Sequence, residues 1–413
     1  MKLPSLEITL GWRNVWKNRR RTILTLLTIM VGCAMIIFMK SIQKGAFGKM
    51  VEDAVAANTG HIQVHEKGYW ENMSIDYALR PEARITSRID AMPEIAAYST
   101  RVNAAGFISS GNTTESALIE AVDPDRERKV TDLHTHILPG GRYLRENDLT
   151  SIVMGETLAE NLGVKVGDTV SMISQGFDGS VAAANLTIVG LFKTKNPEYD
   201  ENLLIMPLAQ ATDTFTMMGY VSSIVIRLKD GITMEETRSA LRRSLGDTKL
   251  EVMGWDELMP DMVQFIDMKH AGTYIFEFIL FTIVAFGVMN TIQMSVYERI
   301  REFGIMMAIG TRPERIRRMV EAESVIIAIL GVLLGSALGS ALAVYFTFYP
   351  LDYSSLAGQM KTWGISITSF PARLELSNIL STSGVMLLTC ILFTITPARY
   401  AARLRPIEAI RKL

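Results

Sequence analysis

The sequence has only two cysteines in 413 residues, which limits how its folded parts can be stabilised. Cys33 and Cys390 both lie inside long apolar runs, near opposite ends of the chain. The polar region between those runs therefore has no disulfide, and its stability must come from a packed core. For the same reason, the cysteines do not indicate a redox compartment.

Residue patterns for metal binding and for catalysis are also missing. The pairs His61/His65 and His134/His136 each place two side chains on one face of a strand, but two ligands are too few for a metal site. No nucleophile–base–acid set stands in a recognisable context, although an anchored enzyme remains an alternative class. We predict no catalytic residue, no cofactor-binding residue and no metal ligand on this chain.

A phosphate-binding loop is the third absence. The pattern G-x-x-x-x-G-K-[ST] occurs nowhere, and Gly48-Lys49-Met50 lacks both the upstream glycine and the hydroxyl residue. The chain is therefore not expected to hydrolyse ATP by that route. If the chain works with an ATPase, that ATPase is expected to be a separate polypeptide, which would bind the ATP and Mg²⁺.

Four long apolar runs are present instead, one near the start and three in the last third. They are Ile23–Met39, Tyr274–Val296, Val325–Phe348 and Ile379–Thr396. Each is about as long as a helix that crosses the hydrocarbon core, roughly 20 residues. None has the regular polar stripe of a soluble helix. We predict an integral membrane α-helical protein with four transmembrane helices and a large extracytoplasmic α/β domain inserted between helices 1 and 2.

Basic residues are concentrated in three segments outside these runs, although the net charge is only −1. They lie before the first run, between the second and third, and after the fourth: Lys2, Arg13, Lys17, Arg19, Arg20 and Arg21; Arg299, Arg301, Arg312, Arg315, Arg317 and Arg318; Arg399, Arg403, Arg405, Arg411 and Lys412. Because basic loops stay in the cytoplasm, both termini and residues 297–320 are predicted to be cytoplasmic. Residues 40–270 and 349–376 are then extracytoplasmic.

These assignments give boundaries for the membrane part. The predicted segments are a cytoplasmic amphipathic helix over 1–21, spans over 22–39, 271–296, 321–348 and 377–397, and a cytoplasmic tail over 398–413. The first span is expected to remain as an anchor. Its apolar run is long for a signal peptide, and no A-x-A-like cleavage site follows it.

Both ends of the extracytoplasmic region have helical periodicity. Apolar residues recur at helical spacing in Ser41–Ala57 and in Leu258–Lys269. These segments are therefore predicted to extend the first two spans outward as stalks. Ordinary surface helices that pack on the domain are the alternative.

Between the stalks, strand and helix patterns alternate. Strands are predicted at Gly60–Val64 and Ala117–Val122, and a helix at Thr233–Leu245. Short strand patterns separated by glycine turns fill the middle of the region. They predict a small all-β subdomain at about 130–215, within the larger α/β domain.

The cytoplasmic segment between the second and third spans contains the most informative motif. It reads Tyr297-Glu-Arg-Ile-Arg-Glu302-Phe-Gly304-Ile-Met-Met-Ala308-Ile-Gly310-Thr-Arg-Pro313 and mixes apolar with charged residues over about four turns. Gly310 is predicted to end this helix and Pro313 to begin the next. The pattern E-x-G-x-x-x-A-x-G resembles the cytoplasmic coupling segment of the MacB/LolC/LolE/FtsX superfamily of ABC transporter permeases. An interfacial helix without a partner is the alternative.

Other stretches also resemble this superfamily, over nearly the whole chain. They are Trp12–Thr22 before the first span, Thr59–His65 at the start of the outer domain, Gly155–Asp168 in its β-rich part and Pro397–Arg411 in the tail. MacB carries its ATPase in the same chain, whereas LolC and LolE bind a separate ATPase subunit. The missing phosphate loop therefore favours the LolC/LolE type.

The resemblance implies a permease subunit in the bacterial inner membrane that works without a transmembrane tunnel. Two partner ATPase subunits would move the cytoplasmic segment, and the outer domain would then release a lipoprotein or lipid-like substrate from the outer leaflet. The resemblance also implies a second permease copy or a paralogue, contact with membrane lipids and no nucleic-acid partner. MacB-like efflux of antibiotics or peptides and FtsX-like control of an extracytoplasmic partner are the alternatives.

Several residues are predicted to have particular roles. Those expected to couple the chain to its ATPase are Glu298, Arg301, Glu302, Gly304, Ala308, Gly310 and Arg312. In the third span, Gly331, Gly335 and Gly339 recur at every fourth position. This small-residue ridge is expected to pack closely against another helix, within the chain or between chains.

Three acidic residues lie near the ends of the spans. Glu277 is about one turn inside the second span, where an acidic side chain either has a function or reaches water. Glu321 and Glu323 lie at the cytoplasmic boundary of the third span. They are predicted to pair with Arg317 or Arg318.

Overall fold

A computed structural model describes residues 12, 13, 15–194, 196–246, 249–352 and 369–411. The chain divides into two compact units, Met1–Lys49 with Ile266–Leu413, and Met50–Phe265. The first is the membrane-spanning unit and the second is the extracytoplasmic unit. Much of the predicted amphipathic helix (1–11) and of the outer loop (353–368) lies outside the described residues.

Among the described residues, four helices are long and apolar enough to cross a membrane. Span 1 is Arg19–Ala54, span 2 is Pro260–Glu298, span 3 is Pro313–Phe348 and span 4 is Leu376–Ala402. Many large apolar side chains on these helices are exposed, as expected for surfaces in contact with hydrocarbon. The predicted fold class, four spans with a large domain inserted after the first, is confirmed.

The spanning helices are longer than the apolar runs that predicted them. Span 1 continues to Ala54 and is followed by a π-helical turn, Val55–Thr59. Span 2 runs unbroken from Pro260 to Glu298, and span 3 begins at Pro313 rather than at residue 321. A helix needs no apolar residues beyond the hydrocarbon, so hydropathy alone underestimates its length.

Span 3 packs against span 1 along the row of glycines. A Cβ atom on Gly331, Gly335 or Gly339 would lie 2.8, 2.7 and 2.8 Å from atoms of Ile29, Met30 and Ala34, respectively. These distances are far below van der Waals contact, so any side chain at these positions would force the two helices apart. The glycine row therefore lies against a helix of the same chain.

Glu277 of span 2 is buried beside Lys40 of span 1. Lys40 Nζ lies 3.1 Å from Glu277 Oε1, and the glutamate is only 7% exposed. One turn away, Thr273 Oγ1 donates a hydrogen bond of 2.9 Å to Gln43 Oε1. Glu277 is thus paired with a neighbouring span instead of reaching water, which offsets the cost of an acid at this depth.

The extracytoplasmic unit is built on one large β-sheet. The strands are β1 (Ile62–Glu66), β2 (Ile95–Ser110), β3 (Thr113–Val122), β4 (Ser151–Gly155), β5 (Thr169–Gln175), β6 (Val181–Phe192), β7 (Leu203–Pro207), β8 (Ser223–Leu228) and β9 (Leu250–Gly254). In the described part of the chain their order is β3-β7-β4-β6-β5-β2-β8-β1-β9, and β3 also pairs with β2. The extra pairing closes β2-β3-β7-β4-β6-β5 into a ring, and β8, β1 and β9 extend it as an open sheet.

Short helices connect and cover these strands. They are α1 (Tyr69–Asn72), α2 (Ala83–Asp90), α3 (Pro124–Val130), α4 (Glu156–Leu162), α5 (Pro197–Asn202), α6 (Leu208–Thr214), α7 (Met234–Leu245) and α8 (Trp255–Leu258). Fully buried side chains of the ring strands and of α7, such as Ile108, Met172 and Leu241, belong to one continuous apolar core.

The segment 130–215, predicted to be all-β, is β-rich but not purely β. It supplies β4 to β7, and helices α4, α5 and α6 also lie within it. Its ring is completed by β2 and β3, which precede the segment in the chain. Helices of two turns or fewer leave too short a periodic pattern to be distinguished from loops in the sequence.

Strand β2 belongs to both the ring and the open sheet. Its residues up to Arg101 pair with β8, and those from Arg101 onward pair with β3. Arg101, at the crossing, is 3% exposed and donates to Glu127 Oε1 at 2.6 Å and to the Asn58 carbonyl oxygen at 2.8 Å. Glu120 Oε2 lies 3.4 Å from the same guanidinium. Because Asn58 is part of the π-helical turn, this cluster fastens the end of the first stalk to both parts of the sheet.

Candidate functional site: the segment between spans 2 and 3

The segment between spans 2 and 3 folds as a short helix, Ile300–Ala308, which we call the coupling helix. Arg299 leaves the helical conformation, with φ −112° and ψ 12°, and so separates the coupling helix from span 2. Ile300, Phe303 and Gly304 are buried, and Phe303 is only 1% exposed in the apolar core of the membrane-spanning unit. The inner face of the coupling helix is thus anchored to the spans.

Gly310 ends the coupling helix, as predicted. Its φ is +98°, which L side chains rarely adopt. Gly310 N donates to Met307 O at 3.1 Å and Thr311 N to Met306 O at 3.0 Å, the two hydrogen bonds of a Schellman motif. Pro313 then begins span 3, so the chain reverses within a few residues.

Replacing Gly310 by alanine is expected to strain this turn by about 1–3 kcal/mol, because the backbone must keep a positive φ. If the turn serves ATPase coupling, as the sequence predicts, the variant should bind a partner ATPase more weakly in detergent. The matched control is Gly272→Ala, at a helical glycine whose added Cβ would meet nothing within 4 Å. Equal ATPase binding by both variants would contradict the importance of this turn.

The opposite side of the coupling helix and its turn is exposed. We call this surface the docking face; it consists of Arg301, Ile305, Ala308, Ile309, Gly310 and Arg312. Ile309 is 79% exposed and Ile305 is 47% exposed. An exposed apolar centre with arginines beside it is typical of a protein–protein interface. The docking face therefore contains Arg301, Ala308, Gly310 and Arg312 of the residues predicted to couple the chain to an ATPase.

A tail helix after span 4, Pro406–Arg411, packs against the coupling helix. Ala409 is 2% exposed at this contact, whereas Ile407 is 78% exposed. The tail helix thus packs on the coupling helix and adds Ile407 to the exposed isoleucines Ile305 and Ile309.

Glu298 and Glu302, also predicted to couple to the ATPase, are held by ion pairs within the chain. Lys17 Nζ lies 2.6 Å from Glu302 Oε1, and Arg21 Nη1 lies 2.8 Å from Glu298 Oε2. The hydrogen bond from Lys17, with a further one from Arg299, lowers the pKa of Glu302 below its usual value. These acids therefore position the coupling helix from within the chain.

Glu323 of span 3 completes this arrangement. It is 3% exposed, and its carboxylate lies 3.0 Å from Arg299 Nη1 and 3.7 Å from Arg21 Nη2. The predicted pairing of Glu323 with Arg317 or Arg318 is therefore wrong, whereas Glu321 does pair with Arg317 at 3.3 Å. We call the six residues Lys17, Arg21, Glu298, Arg299, Glu302 and Glu323 the charge cluster.

Sequence reasoning gave no coupling role to Arg21, Arg299 or Glu323. One signal was available: Glu323 is an acid beside an apolar run, where an unpaired charge is expensive and a basic partner is required. The identity of that partner depends on how spans 1, 2 and 3 pack, which local spacing does not determine.

In the part of the chain that the structure describes, no group of three or more His, Cys, Asp or Glu side chains could hold a metal ion. His65 is buried, stacks on Trp70, and has its pKa lowered to about 4 by burial, so it is neutral. The Nδ1 atom of His136 is hydrogen-bonded to the Asp132 carbonyl oxygen at 3.1 Å.

Two protein-family models match the chain. The MacB-like periplasmic core domain matches residues 22–244, and the FtsX-like permease C-terminal domain matches residues 274–406. The chain belongs to the MacB/FtsX family of ABC transporter permeases. It is therefore a multi-pass membrane protein, and proteins of this kind work with ATPase partners.

Three relatives illustrate the range of this permease family. MacB 2 of Aeromonas hydrophila, a macrolide export ATP-binding/permease protein, is 24% identical over 96% of this chain and 59% of its own length. LolC of Neisseria meningitidis, a lipoprotein-releasing system transmembrane protein, is 21% identical over 98% of this chain and 99% of its own. An ABC transporter permease of Methanocaldococcus jannaschii is 23% identical over 100% of this chain and 98% of its own length. The permease thus spans about 60% of the length of its MacB relatives.

Among solved structures, the periplasmic region of MacB from Actinobacillus actinomycetemcomitans is similar to this permease. It has a TM-score of 0.37 and 15% sequence identity, and it covers 52% of this chain and 97% of its own.

Proposed function

We propose that this permease couples ATP hydrolysis on separate ATPase subunits to a conformational change of its extracytoplasmic unit. The change releases or extrudes a lipoprotein or lipid-like substrate from the outer leaflet of the bacterial inner membrane. Both termini are cytoplasmic in this proposal, as the distribution of basic residues favours. A second permease copy or a paralogue and two ATPase subunits complete the transporter.

The observation that carries the proposal is the two-sided coupling helix. Its inner face is anchored by Phe303, which is 1% exposed, and its docking face presents Ile309, which is 79% exposed. Such a helix can bind a soluble partner on one side and pass a displacement to the spans on the other. The sequence contains no phosphate-binding loop of its own, which supports an ATPase on another chain.

The spanning helices offer a route for that displacement. Span 1 is one continuous helix from Arg19 to Ala54, and span 2 is one from Pro260 to Glu298. The two are joined near the middle of their lengths by the Lys40–Glu277 pair and the Gln43–Thr273 hydrogen bond. We therefore propose that they move as a pair when the coupling helix is displaced.

Replacing Ile309 by aspartate is expected to weaken ATPase binding by about tenfold or more, or roughly 1.4 kcal/mol. A charge at the centre of the docking face would have to be desolvated in the complex. The chain carries an affinity tag, is purified from its host membrane in mild detergent, and is assayed for a copurifying ABC ATPase and for ATP hydrolysis.

Val181→Asp is the matched control for this substitution. Val181 is 76% exposed in the extracytoplasmic unit, so its replacement adds the same charge without touching the docking face. If wild-type protein recovers no ATPase, the proposed function fails. If Ile309→Asp and Val181→Asp recover it equally, the docking face is assigned wrongly.

Two substrate classes fit this proposal, lipoproteins and small molecules or peptides, and depletion of the permease distinguishes them. The match to LolC over 99% of that chain favours lipoprotein release by a permease with a detached ATPase. The slightly higher identity to MacB, 24%, favours efflux of small molecules or peptides. Depletion of the permease should cause lipoproteins to accumulate in the inner membrane in the first case and raise drug sensitivity in the second. A division defect alone would instead favour FtsX-like control of an extracytoplasmic partner.

A further inference from the structure

We infer that the charge cluster is the joint through which the coupling helix moves span 1, with Arg299 and Glu323 as its central positioning residues. This inference rests on the proposed function and adds to it the residues that transmit the displacement. The docking face would receive the displacement, and the charge cluster, of which Arg299 and Glu323 are largely buried, would pass it on.

The contacts of the charge cluster join four parts of the membrane-spanning unit. Arg299, between span 2 and the coupling helix, bonds Glu323 of span 3 through Nη1 at 3.0 Å and Glu302 of the coupling helix through Nε at 3.2 Å. Lys17, in the turn just before span 1, bonds the other oxygen of Glu302, and Arg21, in the first turn of span 1, bonds the carboxylate of Glu298. A displacement of the coupling helix therefore acts directly on span 1.

Spans 1 and 3 also touch along the glycine row. That contact is close apolar packing, in which small residues let the helix backbones approach without directional charge partners. The charge cluster, by contrast, fixes register, because its charges have specific partners in specific directions. We therefore assign to the charge cluster the role of holding the coupling helix and span 1 in a fixed register.

The composition of the charge cluster suits a role in holding helices in one arrangement. Its three cations and three anions balance, and Glu323 and Arg299 are largely removed from solvent. Buried ion pairs contribute little net stability because desolvation offsets their attraction; fixing one arrangement is their best-attested role. We therefore assign the buried Arg299–Glu323 pair a positioning role rather than a stabilising one.

Arg299→Lys tests this role without removing charge. An arginine fork can hold Glu302 and Glu323 at once, whereas the single ammonium of lysine cannot bridge them in the same way. We expect the variant to fold and to bind its ATPase, but to transmit nucleotide-driven motion at least about threefold less well, as expected for loss of a coupling contact.

The readout is an environment-sensitive fluorophore on Gly48→Cys, near the outer end of span 1. Gly48 is exposed, and an added Cβ there would meet nothing within 4 Å; the two native cysteines are buried. The complex is purified with its own ATPase, and emission is compared without nucleotide and after trapping with ATP and vanadate. ATP hydrolysis and the amount of bound ATPase are measured on the same samples.

Arg318→Lys is the matched control, since Arg318 is exposed on the first turns of span 3 and lies outside the charge cluster. We expect the nucleotide-dependent emission change in wild type and Arg318→Lys, and its loss in Arg299→Lys with bound ATPase unchanged. A full response in Arg299→Lys would overturn the inference. Loss of ATPase binding in that variant would also overturn it, because the cluster would then serve docking.

Lys17→Gln provides a second variant that does not endanger folding. The Lys17 side chain is 59% exposed, so its removal leaves no buried charge, yet it cuts the link between Glu302 and the turn that leads into span 1. We expect a partial loss of the emission change, about twofold. An unchanged response here would count against the inference even if Arg299→Lys failed to fold. Absence of any response in wild type with ATPase bound would instead refute the proposed function.

Discussion

Arg101→Leu is expected to destabilise the extracytoplasmic unit by about 3–5 kcal/mol, the usual cost of leaving buried charges without their partner. Arg101 is 3% exposed and is surrounded by Glu120, Glu127 and Asn58. Leucine fills the space but neutralises neither carboxylate. Thermal unfolding of the full-length protein in detergent, followed by tryptophan fluorescence, measures the loss.

This destabilisation should depend on pH. Burial raises the pKa of Glu120, and Arg101 lowers it. Removing Arg101 therefore raises the pKa of Glu120 further above its unfolded value. A carboxyl shifted in this direction costs nothing below its unfolded pKa, and the penalty grows as pH rises towards its folded pKa. The difference between wild type and Arg101→Leu should accordingly be smaller at pH about 5 than at pH about 8.

Two comparisons separate charge from packing at Arg101. Arg145→Leu removes an exposed arginine of the same unit and should change stability by less than about 0.5 kcal/mol. Adding Glu120→Gln and Glu127→Gln to Arg101→Leu should restore much of the loss, because the uncompensated charges are gone. A deficit that is independent of pH and not restored by these changes would show that lost packing dominates.

Gly335→Leu is expected to have the second large effect, on the membrane-spanning unit. Even a single Cβ at this position would lie 2.7 Å from the Met30 carbonyl oxygen and 2.8 Å from Cys33 Cβ. Gly335→Ala should cost about 1–3 kcal/mol by overpacking, and leucine more, since spans 1 and 3 must separate. The thermal unfolding midpoint in detergent and the fraction of protein that stays monodisperse report the change.

Gly384→Ala is the matched control for Gly335→Ala. Gly384 also lies within a spanning helix, but a Cβ there would meet nothing within 4 Å. Alanine should be neutral or slightly stabilising at this position, because it is the better helix former by about 1 kcal/mol. Equal melting of the two variants would mean that the glycine row does not set the distance between spans 1 and 3.

The membrane-spanning unit could be predicted largely from local sequence. Each span is predicted by a run of apolar residues. The turn at Gly310 and Pro313 follows from the conformations that these two residues favour. What hydropathy could not give is the length of the helices. Spans 1 and 2 continue to Ala54 and from Pro260 through polar sequence.

The partner of Glu323 illustrates the limit of spacing arguments at the site. Successive helical residues are about 100° apart, so residues four apart lie on one face, as Arg317 and Glu321 do. Glu323 is six residues after Arg317 and points to another side of span 3. Its actual partners, Arg299 and Arg21, come from elsewhere in the chain, and only the packing of three helices brings them together.

The extracytoplasmic sheet was the least predictable part. The strand patterns near Ile62 and Val122 could be recognised, but β2 extends over Ile95–Ser110 and its polar and small residues hide a strand of that length. The closed ring depends on the pairing of β2 with both β3 and β5. Pairings between distant segments leave no local signal in one sequence.

The sharing of β2 between the ring and the open sheet has a consequence for cooperativity. A boundary between independently unfolding parts usually falls where few backbone hydrogen bonds cross, but here one strand is common to both sheets. Native-state hydrogen exchange should therefore give the amides of β3 and β8 the same free energy of opening, as in a single foldon. The π-helical turn Val55–Thr59 is bonded to Arg101, which lies where the ring and the open sheet meet. We therefore expect a force on the first stalk to act on the ring and the open sheet together.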